Sequence, residues 1–165
     1  MRRFFRTPKG LLTLVFAALL AMAAPVEGLG LVAPGLAIGV AVAAVLDLVI
    51  LRLREGAWAF PSGAVLTGLI VVMVLSPYER WYVIASTSAL AIASKYLVRT
   101  RSANVFNPAA LAIVATFYVF ETGQSWWGAL PDLHAAALVV LLGTGIFIAD
   151  RVNKLPLVIA FLGTY

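Results

Sequence analysis

Cysteine is absent from the 165 residues, and histidine occurs once, at His134. Those two facts exclude disulfides, thiolate nucleophiles, Cys-ligated iron–sulfur clusters, covalently attached c-type haem and, from this chain alone, bis-His haem. Charge is scarce as well: 12% of residues are charged and only seven are acidic. The acids show no HExxH or DxD spacing, so no protein-built metal site is expected. A soluble domain is about a quarter charged, and the polar residues here are too few to cover a water-facing surface. What fills the chain instead is apolar, 63% of residues with a mean hydropathy of +1.03. The expectation is an all-α integral membrane protein whose partners are lipid and other membrane helices. The net charge of +5 could suggest nucleic acid. The basic residues, however, sit in short loops between apolar runs, which topology explains better.

Apolar runs fall at about residues 10–26, 29–51, 62–76, 81–98, 106–120, 134–149 and 155–165. A spanning helix needs about 20 residues, or fewer where flanking side chains snorkel. The second run spans outright, and the first, fourth, fifth and sixth qualify with their flanks. The third, bounded by Pro61 and Pro77, reads as a tilted or broken helix, and the seventh is too short where the sequence reaches Tyr165. Six to seven transmembrane helices are therefore expected, with short or broken segments at 62–76 and 104–120. Arg2, Arg3, Arg6 and Lys9 before "AMAA" resemble a signal peptide. An uncleaved first helix is preferred, because everything downstream is equally apolar and Pro25 follows that motif. If the runs alternate across the bilayer, eleven of the twelve basic residues fall on one side, and Arg80 is the exception. By the positive-inside rule the N-terminus is expected to be cytoplasmic; a bacterial-type inner membrane is the expected setting. Trp81, Tyr82, Trp126 and Trp127 then lie at the outer interface, where their rings are favoured.

The stretch "RSANVFNPAALAIV", residues 101–114, places polar side chains and a proline at the inner entrance of the fifth run. Pro108 at a first helical turn with Asn107 as N-cap is one reading. The other is that irregular polar backbone at membrane depth lines a site, which Ser102, Asn104 and Asn107 would then face. A second segment, "FPSGAVLTGLIVVMVLSP" (60–77), opens on Pro-Ser-Gly and closes on Ser-Pro. Its Ser62, Gly63, Thr67 and Gly68 suit close helix packing or a site.

Together, residues 62–117 resemble the RnfD and NqrB membrane subunits of ion-pumping, flavin-containing electron-transport complexes. The likeness lies in Ser62–Thr67–Gly68, Ser76–Pro77, Trp81, Lys95 and the Asn104–Ala109 element "NVFNPA", and extends over about residues 30–165. It implies a urea-transporter-like fold of two inverted five-helix repeats in a single membrane domain spanning 1–165. The first repeat would cover about 10–120, and the second, beginning at 134–165, would be incomplete, so that either the chain continues or a partner completes it. The resemblance implies redox-driven ion translocation among other subunits, with Ser62, Thr67, Lys95, Asn104, Asn107 and Pro108 as cofactor contacts. Members carry a flavin esterified to a threonine in the outer loop after the fifth helix. Here that loop, "ETGQSWWGALPDLH", has only Thr122 and Ser125 as hydroxyl residues, and "SGAVLT" at 62–67 lacks the signature's second threonine. The expected cofactor is a noncovalent flavin (FMN or riboflavin), with no covalent flavin, haem or metal. The shared fold keeps a small-solute transporter or channel open as an alternative, and an accessory structural subunit as another.

Asp47, inside the second run, is a candidate for a cation path, because a carboxylate at membrane depth is costly and needs a reason. The competing reading is an interfacial ion pair with Arg52 or Arg54. Lys95 either snorkels to the interface or contacts a flavin or quinone, and His134 either hydrogen-bonds at the outer interface or relays protons. Gly143 and Gly145 read as helix-packing positions, and Asp150 with Arg151 as a helix end. No acid–base or nucleophile constellation appears, so any chemistry would belong to a cofactor.

Overall fold

The computed structural model describes residues 7–56, 58–100, 104–129 and 135–164. Among them every regular element is helical, and each apolar run has become one helix. These are α1 (Pro8–Glu27), α2 (Leu29–Glu55), α3 (Ser62–Val74), α4 (Trp81–Leu97), α5 (Pro108–Phe120), α6 (Ala135–Arg151) and α7 (Leu155–Thr164). A 3-10 turn covers Trp127–Ala129. Two helical stretches, Lys9–Glu27 and Leu29–Arg54, are long and apolar enough to cross a membrane. Helices α3 and α5 have 13 residues each, about 20 Å at 1.5 Å per residue, against a hydrocarbon layer of about 30 Å.

The ends follow from local chemistry. Gly28, at φ 100°, separates α1 from α2, a conformation that a Cβ disfavours. Gly56 closes α2 in the left-handed region and donates its N–H to the Arg52 carbonyl. Asn107 caps α5 by accepting from the Ala109 and Ala110 amides at 3.0 and 3.4 Å, with Pro108 at the first helical position. Leu75, extended at φ −63° and ψ 151°, ends α3 just before Pro77.

The chain divides into two units, residues 23–128 and residues 1–22 with 129–165. In the larger unit, neighbours in contact fix the helix directions. Gly39 and Ala43 of α2 face Gly68 of α3, while Gly39 faces Val72, so α3 runs antiparallel to α2. Gly35 faces Ile84 and Asp47 meets Lys95, so α2 and α4 are parallel. Thr87 bonds Thr116, and Tyr82 packs edge-on to Phe120, so α5 opposes α4. The connections are also tied. Leu75 pairs antiparallel with Gln124, Ser76 N–H donates to the Gly123 carbonyl at 2.9 Å, and Ser125 N–H to the Val74 carbonyl at 3.1 Å. The buried Trp127 indole N–H donates to the Val72 carbonyl at 2.8 Å. Unpaired carbonyls at the α3 C-terminus, costly away from water, are thereby satisfied.

In the smaller unit α6 ends in a turn with Asn153 at φ 57°, and the Lys154 amide donates to the Ala149 carbonyl at 2.8 Å. Helix α7, "LPLVIAFLGT", has no buried residue. Among the described residues, Gly143 and Gly145 would meet nothing within 4 Å if they carried a Cβ. Close packing falls instead on Gly35, Gly39 and Gly68.

Candidate functional site

On a helix, residues four apart share a face, and α2 carries Gly35, Gly39, Ala43 and Asp47 at that interval. The three small residues let α3 and α4 approach closely. A Cβ on Gly39 would collide with the Val72 side chain and lie 3.2 Å from Ser88 Oγ, and one on Gly68 would lie 2.9 Å from the Gly39 carbonyl oxygen. The same face therefore carries the Asp47 carboxylate into the packed interior, where the residue is 2% exposed.

There Lys95 Nζ donates to Asp47 Oδ1 at 2.7 Å, and Tyr96 Oη donates to the same oxygen at 2.6 Å. The lysine side chain is 29% exposed, so its ammonium reaches both the carboxylate and the edge of the bundle. Asp47 does not pair with Arg52 or Arg54, because the C-terminal ends of α2 and α4 lie side by side and bring Lys95 closer. Arg52 donates instead to the Gly56 carbonyl and sits 5.7 Å from the Trp58 ring, and Arg54 lies 5.2 Å from the Tyr96 ring. Lys95 is likewise held by an acid.

One turn further into the bundle lies an apolar layer of Ala43, Ala64 and Ile92, against which Leu46, Ile50 and Tyr96 pack. Beyond it, α4 presents hydroxyls. Thr87 donates to the Val83 carbonyl and to Thr116 Oγ1 at 3.1 Å, whereas buried Ser88 Oγ has no hydrogen-bond partner. The apolar cluster of Ala43, Ala64 and Ile92 thus lies between the Asp47–Lys95 pair and this hydroxyl group.

The other expected site residues are placed as follows. Ser62, half-buried, begins α3, and its neighbour Gly63 is close enough that a Cβ there would be 3.9 Å from Lys95 Nζ. Thr67 Oγ1 donates to the Gly63 carbonyl of its own helix at 2.9 Å. Asn104 is exposed and bridges to Arg99, while Asn107 and Pro108 form the start of α5. An open groove of about 290 Å³ at that start is lined by Phe106, Asn107, Ala110, Leu111 and Val114. The structure thus joins Asp47 and Lys95 beside the α3 N-terminus and leaves Asn104, Asn107 and Pro108 on the α4–α5 connection. The Thr67 hydroxyl donates and Asn107 Oδ1 accepts within their own helices. Ser102 and His134 lie outside the described residues. In the loop after α5, Thr122 is buried with no hydrogen-bond partner for its hydroxyl, and Ser125 is exposed.

At the opposite end of α4, Arg80 Nη1 donates to Tyr82 Oη at 3.1 Å, which raises the guanidinium pKa above its ordinary value. Half-buried Glu79 accepts from the Gly123 amide at 2.7 Å and ties the α3–α4 loop to the segment after α5.

Tyr96 and the Thr87–Thr116 contact were not singled out from sequence. The four-residue interval from Gly35 to Asp47 was a usable signal for the buried face, but nothing local marks Tyr96 as the second donor. Searches against family models, curated proteins and solved structures find no match to this chain.

Proposed function

We propose that the chain is a multi-span subunit of a membrane complex that couples electron transfer to ion movement, of the RnfD and NqrB kind, with Asp47 on the cation's path. The N-terminus is cytoplasmic in this reading, the flavin is held noncovalently or by partner subunits, and the described helices supply the dry scaffold. One observation carries it: a carboxylate 2% exposed in an apolar bundle, held by Lys95 and Tyr96. Burying an ion pair costs several kcal/mol per ion before attraction offsets it, and an apolar replacement is often as stable. Intramembrane acids therefore tend to mark ion or proton routes. The Lys95 ammonium occupies the place of a cation. Its partial exposure lets it swing aside when a mobile cation arrives, so Asp47 is never left uncompensated.

A second reading, an accessory helix bundle without transport, draws on the closure of the α3 C-terminus by Ser125 and Trp127 and on the self-capping of α5. The two separate on purification of the chain from its native membrane in mild detergent. The redox reading expects partner subunits and a flavin absorbance that dithionite bleaches. A colourless chain that purifies alone contradicts it.

A further inference from the structure

Between the C-terminal ends of α2 and α4 runs a groove of about 270 Å³, lined by Ile50, Leu53, Arg54, Ala93, Tyr96 and Leu97. Its walls are aliphatic, and Leu53 and Leu97 are 80% and 76% exposed at its mouth. We propose that this groove holds one acyl chain of an anionic phospholipid, with the lipid phosphate bound by Arg54.

The occupant is chosen by charge. Arg52, Arg54, Lys95 and Arg99 stand at these two helix ends, where Asp47 is the one acid whose side chain is described. Asp47 is already paired with Lys95, and Arg52 is turned to the Gly56 carbonyl and the Trp58 ring. Among the described residues no carboxylate is bonded to Arg54. Its guanidinium lies over the face of the Tyr96 ring, 5.2 Å from the guanidinium carbon to the ring centroid. A cation–π contact consumes no N–H donor. It fixes the guanidinium at the rim and leaves its planar fork for a phosphate, which arginine binds bidentately. Tyr96 cannot turn away easily, because its hydroxyl is bonded to Asp47 at 2.6 Å. A zwitterionic lipid would fill the same aliphatic walls, but its own cationic group would be repelled by the surplus of basic residues. Basic pockets between membrane helices favour anionic headgroups for that reason.

The proposal rests on the membrane reading above, and its test separates the two. The full chain is reconstituted into phosphatidylcholine bilayers with and without phosphatidylglycerol, and retained lipids are counted by native mass spectrometry after release. The wild type is expected to retain phosphatidylglycerol roughly tenfold over phosphatidylcholine, the ratio for one charge-assisted contact. In Arg54→Gln that preference falls to near unity, and in Arg54→Lys it is partly kept. Arg151→Gln, in the other unit, leaves it unchanged, and Ala93→Phe, which fills the groove, lowers retention of both lipids. Entry into both bilayers with no preference, or an unaltered preference in Arg54→Gln, overturns the lipid site alone. Failure to enter either bilayer overturns the membrane reading with it.

Discussion

Asp47 and Lys95 differ sharply in how far each can reach water, and that difference predicts unequal costs on substitution. Removing Lys95 leaves a carboxylate 2% exposed without its counter-ion, whereas removing Asp47 leaves a lysine that can turn outward. Lys95→Met should cost about 3 kcal/mol, within the range for one orphaned partner of a buried pair. Asp47→Asn should cost less, and Asp47→Asn with Lys95→Met should cost less than Lys95→Met alone. Unfolding midpoints in detergent with a double-mutant cycle check this. Asn107 allows a second residue-scale prediction. Its Oδ1 caps α5, so Asn107→Ala should lower stability by about 1 kcal/mol, and Asn107→Asp, which keeps the acceptor, should restore it. If Asn107 instead holds a ligand through its amide N–H₂, the aspartate would not restore binding.

At the scale of elements, the contact between α2 and α3 is limited by backbone rather than by flexible side chains. A methyl on Gly68 would press on the Gly39 carbonyl oxygen and the Val40 Cα, which cannot yield without moving a helix. Gly68→Ala should therefore destabilise by about 1–3 kcal/mol. Gly143→Ala and Gly145→Ala, with open space around them, should fall within about 0.5 kcal/mol of wild type or gain slightly in helix propensity. Thermal unfolding of the three variants side by side tests the contrast. The helices themselves were legible, because apolar length and the Gly and Pro punctuation at Gly28, Gly56, Pro61, Pro77 and Pro108 act locally. Lateral contacts were not. Whether Asp47 meets Arg54 about two turns on or Lys95 two helices on depends on which helix ends lie together, and no local spacing records that. Gly143 and Gly145 have the composition of a helix interface, and among the described residues none packs on them. Among the expected site residues, Asp47 and Lys95 came together, while Asn107 took the capping role that its place before Pro108 also allowed.

For the molecule as a whole, the exposed surface is the informative part. Leu157, Ile159, Phe161 and Leu162 of α7, and Tyr118 and Val119 of α5, are all more than 60% exposed. Within each unit, apolar side chains exposed to this extent mark contact with lipid or protein rather than water. The proposed topology is open to direct test because the chain has no cysteine of its own. Single cysteines replacing Gly56 or Arg99 should react with an impermeant maleimide only from the cytoplasmic side, and those replacing Glu79 or Glu121 only from the opposite side. Reaction of both sets from one side contradicts the alternating arrangement.

The most direct test of Asp47 as a cation-handling residue uses everted vesicles of native membrane that hold the assembly proposed above, with oxidation of the electron donor and gradient formation recorded together. Asp47→Asn is expected to keep donor oxidation and to lose the gradient seen by proton- and sodium-responsive dyes. A full gradient in that variant would show that no ion passes by way of Asp47.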